Sequence, residues 1–247
     1  MASQTHPFKS GSPHGSLIVP LFPLPGVVLF PGCVMPLRIF EPRYRTMLQD
    51  AVAPGSQQLI AMAHIRERAK SESEPAGLLL SVPAVHDVLG IGRVIANDEQ
   101  PDGTYNIALL GEARCRIEEE IPHSPYRLAR VTSLHDDTPG TPELRNHLER
   151  SRAELLSAAQ ALIGRTLVNE AAESLISVLK ERSDAGSSSD LLASVYVHDA
   201  GLRQALLEML DVLKRTQLMT AILTKILSGL EPKPPPSKYG AGDYSLN

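Results

Sequence analysis

The spacing of hydrophobic residues changes once along this chain, near residue 140. From Leu17 to about Leu134, apolar residues form short runs with β-type alternation, separated by glycine, proline and polar turn residues. From Thr141 onward they recur every three or four residues, as on one face of an α-helix. The pattern predicts an α+β protein in which a β-rich half precedes an α-helical bundle.

The β-rich half opens with prolines set too close together for a helix. Residues 21–32 read LFPLPGVVLFPG and residues 36–44 read PLRIFEPRY. Proline fixes its own backbone angle and favours an extended residue before it. We therefore expect short extended pieces that bend at Pro25-Gly26 and Pro31-Gly32. Pro42 suits the first turn of a single helix with an apolar stripe of Tyr44, Met47, Leu48 and Ala51.

Several further strands are predicted in the same half. Asp102-Gly103, between two apolar runs, is a strong hairpin signal. Six or more strands with short connections favour a closed or nearly closed barrel. The predicted strands after the opening segment are 59–65, 78–82, 85–97, 105–110, 113–119 and 126–134.

The helical half is predicted from its caps and apolar faces. Thr141 caps a helix that carries Leu144 and Leu155 on one face, and Asn169 opens a second helix. Residues 184–190 are polar and are expected to form a loop before a short helix over 191–196. Asp199 and Asp211 start the last two helices, the second ending at Gly229.

These patterns divide the chain into four parts. They are a flexible tail (1–15), a β-barrel (16–136), a helical bundle (141–230) and a proline-rich flexible tail (231–247).

Composition narrows the class of protein. The 247 residues are 43% apolar with a formal net charge of −4, so the general basic footprint of a nucleic-acid-binding protein is lacking. Cys33 and Cys115 are far apart, which favours two buried thiols in a reducing cytoplasm. Five prolines interrupt the apolar run 17–37, so we expect neither a signal peptide nor a membrane span.

Three stretches resemble the amino-terminal, substrate-binding domain of Lon proteases. The first is the opening run 21–44. The second comprises IGRV at 91–94, PDGTY at 101–105 and LGEARCRI at 110–117, and the third is LRQALLE at 202–208, where Arg203 stands in place of the family's usual lysine. The form of residues 39–44 is more similar to stand-alone and eukaryotic Lon-domain proteins than to full-length bacterial Lon.

The resemblance implies a PUA-like pseudo-β-barrel followed by a helical bundle, and a role in holding unfolded or tagged protein substrates. The motor and peptidase of Lon are not expected here. The sequence has no G-x-x-x-x-G-K-[ST], and little chain follows the helices. The resemblance thus favours a non-catalytic, cytoplasmic protein that binds polypeptide clients, in connection with a protease system.

Candidate catalytic and metal-binding patterns are weak. Ser177 and Lys180 have S-x-x-K spacing, but the partner motifs of penicillin-binding enzymes are missing. The eight histidines have no ligand spacing, and Gly90-Ile91-Gly92 lacks a dinucleotide-binding context. We expect no enzyme activity, no cofactor and no metal.

The candidate polypeptide-binding rim comprises Arg38, Phe40, Glu41, Arg43 and Tyr44, because aromatic residues and arginine are enriched at protein-binding sites. A structural role for these residues at a helix start is the competing interpretation. The alternative function is RNA or nucleotide binding, with Arg93, Arg114 and Arg116 as the basic cluster. A small-ligand sensor is a further alternative.

Overall fold

The computed structural model describes residues 16–66, 83–168 and 170–230, and all statements below refer to them. The strand predicted at 78–82, the helix start at Asn169 and both predicted tails lie outside the described residues. The strands are β1 (Ser16–Leu24), β2 (Val34–Ile39), β3 (Leu59–His64), β4 (Val88–Glu99), β5 (Tyr105–Ile121) and β6 (Arg127–Leu134). The helices are α1 (Pro42–Val52), α2 (Pro142–Thr166), α3 (Glu170–Glu181), α4 (Ala185–Tyr196), α5 (Ala200–Glu208) and α6 (Val212–Gly229).

Five of the strands close into a barrel. The order β5-β4-β3-β1-β6 returns to β5 through a β5–β6 pairing, and every pairing is antiparallel except β1 with β3. The remaining strand, β2, pairs with the first part of β5 and ends the sheet order. The predicted α+β class, with a barrel before a helical bundle, is confirmed.

The prediction of two separate strands at 105–110 and 113–119 was wrong, because β5 is one strand of 17 residues. Gly111 does not turn the chain. It instead admits another backbone segment, since a Cβ built there would stand 2.1 Å from the carbonyl oxygen of Phe30. The β4–β5 register shifts here, since Ile91 pairs with Ala113 and Gly92 pairs with Gly111.

The segment between β1 and β2 enters the space between barrel and bundle. Gly26 and Gly32 have positive φ angles of 70° and 71°, which confirms the two predicted bends. Leu29 and Phe30 are buried between them, and a Cβ on Gly90 would lie 2.0 Å from the Leu29 carbonyl oxygen. Glycine is therefore required on the strands that this segment crosses.

Three helices begin at the capping residues that the sequence predicted, and one helix, α4, begins earlier than predicted. Thr141, Asp199 and Asp211 accept the expected backbone hydrogen bonds. The predicted loop 184–190 was wrong, because Asp184 caps α4, which begins at Ala185. Ser188 and Ser189 donate their hydroxyls to carbonyls four residues earlier, so these polar residues can lie buried inside a helix.

The bundle packs against the β-rich half through an apolar cluster to which both halves contribute. Its barrel members Val28, Phe30, Cys33 and Val88 pack with buried residues of the helices. The first residues of α2 lie outside this cluster, and Leu144, which the sequence predicted on the buried face, is 45% exposed.

Candidate functional site

The outward side of β2 carries a row of exposed side chains. Val34 is 58% exposed, and Pro36 and Arg38 follow on the same face because strand side chains alternate. The intervening Met35, Leu37 and Ile39 pack on the barrel core. Phe40, directly after the strand, is 64% exposed. The row therefore presents apolar groups to solvent around one arginine.

Among the residues that the structure describes, the backbone of β2 is paired on one edge only, with β5. The Gly111 amide donates to the Cys33 carbonyl at 2.9 Å, so the Cys33 carbonyl points toward β5, and the Gly111 carbonyl accepts from the Gly32 amide at 2.8 Å. In the antiparallel register this phase recurs at Met35, Leu37 and Ile39, so the amides and carbonyls of Val34 and Arg38 point away from β5. Pro36, which has no amide hydrogen, occupies the same outward phase.

The start of α1 joins this row to the core. Tyr44 is 5% exposed, and its ring lies 4.4 Å from that of Phe22. The Arg43 guanidinium stacks 4.5 Å above the Tyr44 ring and pairs with Glu41 at 2.8 Å. Burial raises the pKa of the Tyr44 phenol, so it stays neutral at physiological pH.

Contacts with the β4–β5 hairpin hold the rim in place. Arg38 pairs with Asp102 at 2.9 Å, and Arg45 of α1 donates to the Gly103 carbonyl at 3.0 Å. At the other end of α1, Tyr126 donates to Asp50 at 2.8 Å, and burial with this bond raises the pKa of Tyr126 to about 12. These contacts fix the position of the start of α1 relative to β2.

The structure thus brings all five residues of the predicted rim together at the β2–α1 junction. Arg38, Phe40, Glu41 and Arg43 are available to solvent, whereas Tyr44 supports them from the core. Sequence reasoning missed Val34 and Pro36. Their signal is the alternation of residues 34, 36 and 38 along β2, which the density of prolines obscures.

The basic cluster considered for RNA is largely engaged inside the protein. Arg114 is 4% exposed and donates to Asp190 of α4 at 2.8 Å and to the Leu207 carbonyl at 2.9 Å. Burial lowers the pKa of Arg114, but the Asp190 carboxylate more than offsets this and raises it above its ordinary value. Arg114 is therefore a charged group that joins barrel to bundle.

A second buried arginine lies beside the Arg114–Asp190 pair. Arg215 of α6 is 1% exposed, donates to Asp136 at 3.1 Å and lies 3.4 Å from Asp190. We call Arg114, Asp136, Asp190 and Arg215 the interface ion cluster. Two arginines and two aspartates from both halves balance one another there, as buried charges require.

The other two arginines of the RNA candidate differ from Arg114. Arg93 forms a two-pronged pair with Glu112 and donates to the Gln57 carbonyl at 2.9 Å. Arg116 is exposed on β5. The three side chains therefore do not form a free basic surface.

The weak catalytic candidates are not assembled into a site. Ser177 and Lys180 are both exposed on α3. The Cys33 and Cys115 thiols are buried and reduced, and burial raises the pKa of Cys115 to about 12. Among residues 16–66, 83–168 and 170–230, no group of three His, Cys, Asp or Glu side chains could hold a metal ion.

Within the same ranges, none of the helices combines the length and hydrophobicity that crossing a bilayer requires.

The fold defines a barrel-and-bundle module that solved structures share. The N-terminal domain of a Mycobacterium avium complex Lon protease matches with a TM-score of 0.62 at 19% identity, covering 84% of this chain and 98% of that one. A Lon N-terminal domain protein from Xanthomonas campestris matches with a TM-score of 0.54 at 23% identity, covering 87% and 99%.

Sequence comparison identifies the family. The model of the ATP-dependent protease La (LON) substrate-binding domain matches residues 18–225. This chain belongs to that family.

Curated relatives include a Lon protease of Heliobacterium modesticaldum, 28% identical over 86% of this chain, and one of Methylocella silvestris, 23% identical over 83%. The chain spans about a quarter of the length of these relatives, 24% in each case.

Proposed function

We propose that this chain binds polypeptide without catalysing a reaction, through the rim formed by Arg38, Phe40, Glu41, Arg43 and Tyr44. The observation that carries the proposal is the exposed apolar row of Val34, Pro36 and Phe40 in a member of a substrate-binding family. Exposed apolar groups rimmed by charge are typical of protein-interaction sites.

Each rim residue has a role in this proposal. Phe40 is the apolar anchor that a client side chain covers. Arg38 and Arg43 offer their guanidinium donors and their flat faces, while Glu41 and Asp102 keep the local charge near neutral. Tyr44 acts from below by holding Arg43 in its stacked position. A neutral site of this kind suits unfolded segments of mixed sequence.

The engagement of Arg93 and Arg114 within the protein weighs against the RNA alternative. A nucleic-acid surface needs several free cations to neutralise phosphates. Arg114 is buried and paired, and Arg93 is committed to Glu112.

The clients are further proposed to be proteins that a protease system degrades, because the curated relatives are Lon proteases. A cytoplasmic location is consistent with the two reduced, buried thiols. We also propose that the divisions 16–136 and 141–230 act as one body in binding, since the interface ion cluster joins them.

A competition titration tests the proposed function. The labelled probe is reduced, carboxymethylated α-lactalbumin, which stays unfolded, and the competitors are excess unstructured single-stranded RNA and native protein. We expect saturable binding that resists RNA and native protein, and about tenfold weaker binding by Phe40→Ser. The matched control is Val178→Ser, an exposed apolar position on α3, which should bind like the parent chain. Displacement by RNA, with a steep loss of affinity as salt rises, would contradict the proposal.

A further inference from the structure

We infer that the free edge of β2 binds an extended client segment as an added strand, so that recognition is carried by backbone hydrogen bonds as well as by the rim. This inference rests on the proposed function and specifies its binding mode.

The outward backbone groups define the chemistry of the occupant. Val34 and Arg38 each present an amide and a carbonyl on the edge away from β5, and Pro36 adds a carbonyl. Two donors and three acceptors, spread over about 13 Å of strand, match the backbone of another extended chain. A helix, whose backbone groups bond to one another, offers no such array.

No described strand uses this edge. The sheet order ends at β2, and its pairing with β5 is the one that the described residues form. The side chains along the edge are open as well, with Val34 at 58% and Phe40 at 64% exposure. An incoming strand would therefore cover apolar surface while it satisfies the backbone groups.

The edge also carries features that limit indiscriminate pairing. Proteins protect free edges with short strands, proline and charged residues. β2 has six residues, with Pro36 and Arg38 in the outward phase. The loss of one donor at Pro36 leaves a weak edge, which is suited to reversible binding of a client rather than to permanent pairing.

The charges along the edge specify a neutral, apolar segment. Arg38 is balanced by Asp102 at 2.9 Å, and Arg43 by Glu41 at 2.8 Å. A partner with low charge and an apolar residue at every second position places those residues beside Val34 and Pro36. The occupant is therefore an extended, alternating apolar segment of an unfolded polypeptide.

Backbone methylation of the probe tests this inference while the protein stays intact. The probe is a labelled, monomeric ten-residue peptide in which Val alternates with Thr. One derivative is N-methylated at every Val and the other at every Thr, and binding to the full chain is followed by fluorescence anisotropy. An added antiparallel strand directs toward β2 the amides of the residues whose side chains share the face of Val34. We therefore expect N-methyl-Val to weaken binding at least tenfold and N-methyl-Thr to change it less than threefold. Equal effects of the two derivatives would overturn the inference.

A pair of protein variants provides an independent readout. Arg38→Ala removes the side chain and keeps the outward amide, whereas Arg38→Pro removes both. We expect Arg38→Pro to bind the peptide at least tenfold more weakly than Arg38→Ala, with equal affinities counting against edge pairing. Circular dichroism establishes that both variants are folded.

The same series separates this inference from the proposed function. Binding of unfolded α-lactalbumin without any binding of the alternating peptide would overturn strand addition at the β2 edge. The proposal that the chain binds polypeptide would stand. Failure of both probes to bind would overturn both the proposed function and the inference of strand addition. A concentration-dependent dimer that excludes the peptide would assign the edge to a second copy and overturn the inference.

Discussion

Two arginines on neighbouring strands of the same sheet differ in their exposure to solvent. Arg114 of β5 is 4% exposed and is enclosed by Asp190 and the Leu207 carbonyl, both from the helical bundle. The side chain of Arg38 of β2 is 61% exposed, beside a strand edge that no described strand pairs with. The difference comes from what covers each strand, not from the local sequence. It indicates that the barrel–bundle interface maintains the fold, whereas the β2–α1 junction is accessible to solvent and is the surface that we propose binds polypeptide.

The largest effect is expected from removing the shared carboxylate of the interface ion cluster. Asp190→Ala leaves Arg114 and Arg215 buried without their common partner, and we expect a loss of about 3–5 kcal/mol in the free energy of unfolding. Urea denaturation measures it. Arg38→Ala, which breaks an exposed pair, is the matched control and should cost less than about 1 kcal/mol. Similar losses for the two variants would contradict the proposed difference between the barrel–bundle interface and the β2–α1 junction.

A second test concerns the segment that lies between barrel and bundle. Gly90→Ala places a Cβ 2.0 Å from the Leu29 carbonyl oxygen, so the backbone must shift, and we expect destabilisation of about 1–3 kcal/mol. Gly164→Ala is the control, because Gly164 is an exposed position of α2 and its Cβ would meet nothing within 4 Å. It should stabilise the protein by about 0.5–1 kcal/mol. Thermal unfolding of both variants gives the sign of each effect.

The cap of α4, the helix that presents Asp190, should give a smaller and pH-dependent effect. Asp184→Ala removes the bond from the Ser187 amide at 2.7 Å and should cost about 1 kcal/mol near neutral pH. Burial raises the pKa of Asp184, but the Ser187 amide and hydroxyl more than offset this and lower it below its ordinary value.

The sign of the pH effect follows from that lowered pKa. The stabilisation by Asp184 is complete above the carboxyl's ordinary pKa and is lost as pH falls through its lower, folded-state pKa. We therefore expect the difference in unfolding free energy between the parent chain and Asp184→Asn, which keeps an uncharged cap, to fall in acid. Chemical denaturation at about pH 6 and about pH 3 measures this change. A difference that grows in acid would contradict it.

The smallest effect on stability is expected at the rim, where the effect on binding is expected to be large. Phe40→Ser removes a side chain that is 64% exposed, so the free energy of unfolding should change by no more than about 0.5 kcal/mol. Its affinity for unfolded polypeptide should fall about tenfold. A large loss of stability with unchanged affinity would indicate that Phe40 packs in the core and would contradict its assignment to the polypeptide-binding rim.

Features that depend on neighbours along the chain could be predicted from the sequence. The helix at Pro42, the bends at Gly26 and Gly32 and the caps at Thr141, Asp199 and Asp211 each have a local cause in proline geometry, positive φ or side-chain capping. The family resemblance also rests on contiguous residues, and the match over 18–225 confirms it.

Features that depend on distant contacts could not be predicted. Residues 184–190 have the composition of a loop, and Asp190 lies buried in a helix, where it pairs with Arg114, 76 positions away. Gly111 has no turn to make, and its role depends on the approach of the Phe30 carbonyl. Only part of the candidate site could be predicted from the sequence. Residues 38–44 stand out as a motif, but the outward phase of Val34 and Pro36 requires the β2–β5 register.

The most direct test of where this protein binds is amide hydrogen exchange of the full chain, free and saturated with unfolded, carboxymethylated α-lactalbumin. We expect protection on binding to be concentrated at the β2–α1 junction, including the outward amides of Val34 and Arg38. The amides around Asp190 and Arg215 should already be protected in the free chain and should not change. Protection confined to the helical bundle or to the surface around Arg116, with β2 unchanged, would contradict it.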